Sequence, residues 1–150
     1  MQTLDLYTVI QNADKYNVPN IYVSQLLGIS EGRIKLLKKL ELEDYQKVLS
    51  NNKIYTITEL REILLDFIKD TQITTLILTG SYARGEATID SDIDLIIESD
   101  DIVDDYEKLY SELASVLGKH IEIMTVTGIN YSVYRKNLLE GSVLIYGKGL

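Results

Sequence analysis

The sequence contains no cysteine, no tryptophan, one proline (Pro19), one phenylalanine (Phe67) and one histidine (His120) among its 150 residues. Without cysteine there is neither a disulfide scaffold nor a thiolate metal site, as suits a cytoplasmic protein. No run of about 18 apolar residues occurs, so no membrane-spanning helix is expected. The opening MQTLDLYTVI lacks the basic start and unbroken apolar stretch of a signal peptide. Positive charge is also scarce. Fifteen Lys and Arg face twenty-three Asp and Glu, a net charge of −8, which argues against charge-driven nucleic-acid binding by the chain as a whole.

Apolar residues make up 45% of the chain and charged residues 25%, enough for one packed domain or one domain with a small appendage. The charge is unevenly spread. Residues 1–53 hold seven Lys/Arg and six Asp/Glu, a net of +1; residues 54–150 hold eight and seventeen, a net of −9. Together with the polar stretch SNNK at 50–53, this divides the chain into a small helical unit, 1–53, and a larger unit, 54–150.

In the first unit, Leu6, Val9, Ile10 and Ala13 recur at helical spacing, and Pro19 and Asn20 break the pattern. A second helix over IYVSQLLG stops at Gly28. Ser30 is placed to cap a third, EGRIKLLKKLE, with Ile34, Leu37 and Leu40 on its apolar stripe, and a fourth covers Asp44 to Ser50. In the second unit, Thr58 is placed to cap a helix that buries Leu60, Ile63, Leu64, Phe67 and Ile68. ITTLILTG, DIDLIIES, HIEIMTV and SVLIYG read as strands, with helices over 101–118 and 129–140. The expected class is α+β: a mixed sheet flanked by helices, preceded by a small all-α unit.

Two features carry chemistry. Asp92 and Asp94 are two apart on a strand, so both carboxylates project from one face while Ile93 and Leu95 pack on the other. Paired carboxylates on a rigid strand suit Mg²⁺, which takes oxygen ligands and keeps waters and phosphates. Glu122 is acidic in an otherwise apolar strand; it either faces solvent or joins the aspartates, and three carboxylates on neighbouring strands make a two-metal site. Gly80 and Ser81 follow directly after another strand. There a glycine permits close approach of a phosphate, Ser81 adds a hydroxyl, and Arg84 a guanidinium. Asp92, Asp94 and Glu122 are thus the candidate catalytic and metal residues, and Gly80, Ser81 and Arg84 the candidate nucleotide-binding residues. Other residues have plainer readings. His120 opens a strand as a packing residue or a neighbour of the metal site. Tyr82 stacks near a nucleotide or packs. Tyr106 and Tyr110 pair one helical turn apart, and ESDDIVDD is a solvated helix start.

The run GSYARGEATIDSDIDL (Gly80–Leu95) resembles the minimal nucleotidyltransferases of the polymerase-β-like superfamily: Gly-Ser, ten residues (Tyr82 to Ser91), then Asp-x-Asp. The likeness covers roughly residues 58–147. It implies that Gly80 and Ser81 hold the triphosphate of ATP, that Asp92 and Asp94 bind Mg²⁺, and that Glu122 stands where the family often has Asp. With two Mg²⁺ ions, AMP would pass to an acceptor hydroxyl. Small members of this kind look like antitoxins paired with a HEPN-type toxin, which implies adenylylation of a toxin side chain. A non-catalytic antitoxin that blocks its partner by contact is the alternative, and an antibiotic-modifying transferase fits less well. The chain ends at Leu150, soon after its last strand, so an additional acceptor domain is not expected downstream.

VSQLLGISEGRIKLLKKL (Val23–Leu40) resembles a helix-turn-helix, with Arg33, Lys35 and Lys38 presented to operator DNA, a dimer on a two-fold site, and a role in transcriptional regulation. A helical bundle used for packing is the other reading, and Gly32 weakens such a recognition helix by about 1 kcal/mol relative to Ala.

Overall fold

The structure, a computed structural model, describes residues 3–149. Four helices come first: α1 (Thr3–Lys15), α2 (Asn20–Leu27), α3 (Glu31–Leu37) and α4 (Leu42–Leu49). Gly28 ends α2 in the left-handed conformation at φ 67°, and the Ser30 side chain caps α3 by accepting from Arg33 N. Helix α3 stops at Leu37, short of the expected Glu41.

Helix α5 (Ile57–Ile68) starts two residues earlier than expected. Its cap is Thr56, not Thr58. The Thr56 hydroxyl accepts from Glu59 N, and the Glu59 carboxylate accepts from Thr56 N. This reciprocal box satisfies two otherwise unpaired donors, which a cap at Thr58 would not.

The sheet comprises β1 (Ile73–Thr79), β2 (Ile93–Ser99), β3 (Ile121–Thr125) and β4 (Val143–Tyr146), in the order β3-β2-β1-β4. It is mixed: β1 runs antiparallel to β2 and β4, and β2 runs parallel to β3. A short helix, α6 (Gly80–Arg84), follows β1. The acidic segment after β2 forms α7 (Ile102–Lys108), a π-helical turn (Leu109–Leu113) and α8 (Ala114–Leu117). The expected helix at 129–140 is instead two short ones, α9 (Val126–Asn130) and α10 (Arg135–Leu139). The architecture is α+β, with the mixed four-stranded sheet flanked by helices.

Alternation along the strands gives the sheet two apolar faces. Leu76 and Leu78 of β1 and Ile93, Leu95 and Ile97 of β2 join one large core with Ile10, Ile34, Leu37, Tyr45, Leu60 and Leu64. Residues from both sides of the 53/54 boundary therefore pack in one cluster. Ile77 and Ile96 point the other way and join Ile129, with Met124, Val126, Leu138 and Leu139 packed around them. Asp94, two residues before Ile96, and Glu122, two before Met124, belong to this second face by strand periodicity.

Candidate active site

The site is assembled where β1 ends. Gly80 turns the chain at φ 73°, a conformation that favours glycine. A Cβ built on Gly80 would lie 2.1 Å from Asp94 Oδ2, so only glycine lets that carboxylate rest against the turn. The register agrees, because Thr79 lies opposite Asp94 across the antiparallel pair. The Thr79 hydroxyl donates to the Leu138 carbonyl and ties the turn to α10. Thr79, Gly80, Arg84, Asp94, Glu122, Met124, Asn137 and Leu138 enclose a cleft of ≈ 440 Å³. Ser81 is half-buried on α6 beside it. Arg84 contributes its stem and guanidinium, with Nε 3.1 Å from Glu86 Oε2.

The carboxylates come from two adjacent strands. Asp94 pairs with Glu122 in the parallel β2–β3 register. Burial pushes the Asp94 carboxyl up to about 6, and the neighbouring Asp92 and Glu122 charges add to the shift. Carboxylates gathered on adjacent strands in this way fit a bound cation.

Asp92, in the turn before β2, also meets His120. Its ligand oxygen, a nitrogen of His120 and an oxygen of Glu122 all lie within 4.8 Å of one another. Asp94 is outside that group of three. Of the six candidate residues, Gly80, Arg84, Asp94 and Glu122 share the cleft, Ser81 flanks it, and Asp92 stands near Glu122 and His120. His120 is the residue that strand patterning undervalued. Its spacing two before Glu122 was the available signal, since it puts both on one face. Tyr82 resolves as packing: it is buried in the main core. Tyr110 faces His120, not Tyr106, with ring centroids 5.7 Å apart at 70°. Asp105, in the acidic run, is buried and accepts from Gln72 N and Ser99 Oγ, so that part of the run is structural and not solvated.

The three cations expected to face DNA each have a partner within the chain. Arg33 donates to the carbonyls of Leu49, Asn51 and Ile89 and pairs with Asp90 at 3.2 Å. Lys35 Nζ stands 3.6 Å from Glu122 Oε1. Lys38 donates to Asn20 Oδ1 and lies 4.0 Å from Asp14. Helix α3 docks so closely that a Cβ on Gly32 would fall 2.1 Å from Asp92 Oδ1. The face of α3 that carries Gly32 and Arg33 thus packs against the segment of Asp90 and Asp92, Lys35 lies beside Glu122, and Lys38 pairs within the first helices.

Comparison with known proteins decides the family. A family model described as a nucleotidyltransferase domain matches residues 57–145. The chain belongs to the nucleotidyltransferase domain family. Two relatives from Methanocaldococcus jannaschii carry the name "putative protein adenylyltransferase". One is 32% identical over 98 residues, covering 60% of this chain and 98% of the relative. The other is 38% identical over 79 residues, covering 49% and 79%. Among solved structures, a toxin-antitoxin crystal structure with AMP-PNP aligns with a TM-score of 0.47 at 18% identity, covering 59% of this chain and 73% of that one. A mutant of the MntA-HpeT toxin-antitoxin aligns with a TM-score of 0.48 at 17% identity, covering 59% and 73%. The matched family region begins with α5 and ends in β4, and so takes in the whole sheet and the cleft. No described helix is long and apolar enough to cross a membrane.

Proposed function

We propose that this nucleotidyltransferase moves AMP from ATP to a hydroxyl of a partner protein, and that the partner is a HEPN-type toxin for which the chain is the antitoxin. The observation that carries the reaction is the cleft in which the Gly80 turn meets Asp94 and Glu122. The triphosphate lies along Gly80 and Ser81, with Arg84 offsetting its charge. Asp92, Asp94 and Glu122 would hold magnesium, which would supply charge neutralisation on the phosphates and acidification of the acceptor hydroxyl. The acceptor oxygen forms its bond to the α-phosphorus as the bond to the β-phosphate oxygen breaks, and pyrophosphate leaves. Glu122, half exposed at the cleft, is placed to take the hydroxyl proton.

A protein acceptor is supported by two observations. The segment leading into α10 exposes Tyr131, Val133 and Tyr134 at 87%, 90% and 66%, immediately before Asn137 and Leu138 of the cleft. Such an apolar lip suits a macromolecular surface better than a small polar molecule. The names of the M. jannaschii relatives point the same way. The toxin partner rests on the likeness of the Gly80–Leu95 motif to antitoxin-type minimal nucleotidyltransferases.

The test is pull-down from the native host with ATP and Mg²⁺, then intact-mass measurement of captured proteins. One or more AMP units on the partner, absent with Asp92→Asn, is the expected result. A stable partner without mass gain would replace transfer with inhibition by contact. Retained transfer by Asp92→Asn would overturn the site assignment.

A further inference from the structure

We propose that Arg33, on a helix that precedes the matched family region, is a positioning residue for Asp92: with Lys119 it fixes the loop 85–92 that carries the carboxylate. This rests on the reading of Asp92 as a ligand of the divalent cation. The loop joins α6 to β2 and has no helix or strand of its own. Its internal support is slight: Ser91 N donates to the Thr88 carbonyl, and Ser91 Oγ accepts from Thr88 N. The place of Asp92 therefore depends on what grips the loop from outside.

The grip is cationic. Arg33 Nε pairs with Asp90 Oδ1 at 3.2 Å, and Nη2 reaches the Ile89 carbonyl at 3.5 Å. Lys119 Nζ donates to that same carbonyl at 2.6 Å. Both cations are largely withdrawn from solvent, the Arg33 side chain at 17% exposure and Lys119 at 4%. Two residues beyond Asp90, the Asp92 carboxylate rests against Gly32, the neighbour of Arg33 on α3.

These contacts close a circuit. Arg33 also donates to the carbonyls of Leu49 and Asn51. Asn51 Nδ2 donates in turn to the carbonyls of Leu117 and Gly118, which lead directly into Lys119. From Lys119 the circuit returns through Ile89 to Arg33. A planar guanidinium with five donors serves three carbonyls and a carboxylate at once, which an ammonium cannot do. An exposed ion pair is worth little by itself; a part-buried fork that ties two distant segments together is what fixes a loop. The helices before the matched region 57–145 thus complete the site by holding one of its carboxylates, the support from outside that a ligating side chain needs.

Charge separates this role from a general one. Removing a cation from the surroundings of a divalent-ion site strengthens ion binding by Coulomb attraction alone, whereas removing a positioning residue weakens it. Full-length protein is stripped with a chelator and titrated without nucleotide, using Mn²⁺ as the paramagnetic probe of the Mg²⁺ site and following loss of the free-ion resonance signal. Arg33→Met and Lys119→Met should each bind at least fivefold more weakly than wild type, against the direction set by charge. Thr56→Ala, which lowers stability without touching the loop, should keep wild-type affinity; equal weakening there would assign the effect to stability and overturn the proposal. Unchanged or tighter binding in a folded Arg33→Met protein overturns it and leaves the reading of Asp92 standing. Where Arg33→Met does not fold, the same result in Lys119→Met overturns it. If Asp92→Asn binds as tightly as wild type, Asp92 is no ligand, and the reading falls together with the proposal.

Discussion

Asp94 carries the conflict between stability and function at the scale of single residues. Its carboxyl titrates near 6 in the folded metal-free protein because of burial and two neighbouring carboxylates, against an ordinary value of 3.8. The folded state therefore binds the proton more tightly than the unfolded state. Its cost is absent below the ordinary value, grows as pH rises from about 4 to about 6, and is constant above that. Asp94→Asn removes the charge, so the metal-free variant should be more stable than wild type at pH 7.5, on the order of 2 kcal/mol, while losing transfer. Denaturant unfolding at pH 4 and 7.5 checks this, and equal stabilities at both values would contradict it. The adjoining glycine has no such latitude. Gly80→Ala would drive a methyl into the Asp94 carboxylate, so a variant that folds should lose divalent-ion affinity at least tenfold by titration.

At the scale of elements, α3 shows a helix weakened for a contact. Glycine inside a helix costs about 1 kcal/mol relative to alanine, yet alanine at position 32 would collide with Asp92 Oδ1. Propensity alone makes Gly32→Ala stabilising. The packing offsets that gain, because the Asp92 carboxylate must swing away to admit the methyl, so an unfolding midpoint no higher than that of wild type is expected. Helix α5 gives the ordinary case. Thr56→Ala removes one half of the capping box and should cost about 1 kcal/mol without altering metal binding. The same Ala at Thr58, the position that the sequence pattern favoured, should change stability little. The difference between those two variants measures how far a cap is decided by the backbone entering the helix, since threonine, with glutamate three residues on, occurs in the box and threonine alone at 58 does not.

At the scale of the whole molecule, the division at residue 53 and the packing lead to different expectations for a fragment. The family match begins at residue 57, but Ile34, Leu37, Tyr45 and Val48 lie in the same core as Leu64 and Leu95. Asn51 Nδ2 donates to the carbonyls of Leu117 and Gly118, and Tyr55 donates to Leu117. Residues 54–150 alone should therefore expose apolar surface that the first four helices cover. Loss of a cooperative thermal transition in that fragment, beside a single transition in the full chain, is the expected outcome. An equally cooperative fragment would establish an independent unit.

Much of this was legible in the residues. Helical spacing of apolar positions located α1 to α5, strand alternation located the sheet, and the Gly-Ser and Asp-x-Asp spacing placed a nucleotidyltransferase motif at the end of β1 and the start of β2. These signals are local: each depends on how a few neighbouring residues alternate or turn, and backbone geometry fixes that. Three things depended on tertiary structure. It set Arg33 against Asp90, Lys35 against Glu122 and Lys38 against Asp14, buried Tyr82, and brought His120 beside Asp92. The partner of a charged or aromatic side chain comes from elsewhere in the chain, through burial and electrostatics acting across the packed interior, and no spacing within one segment encodes it.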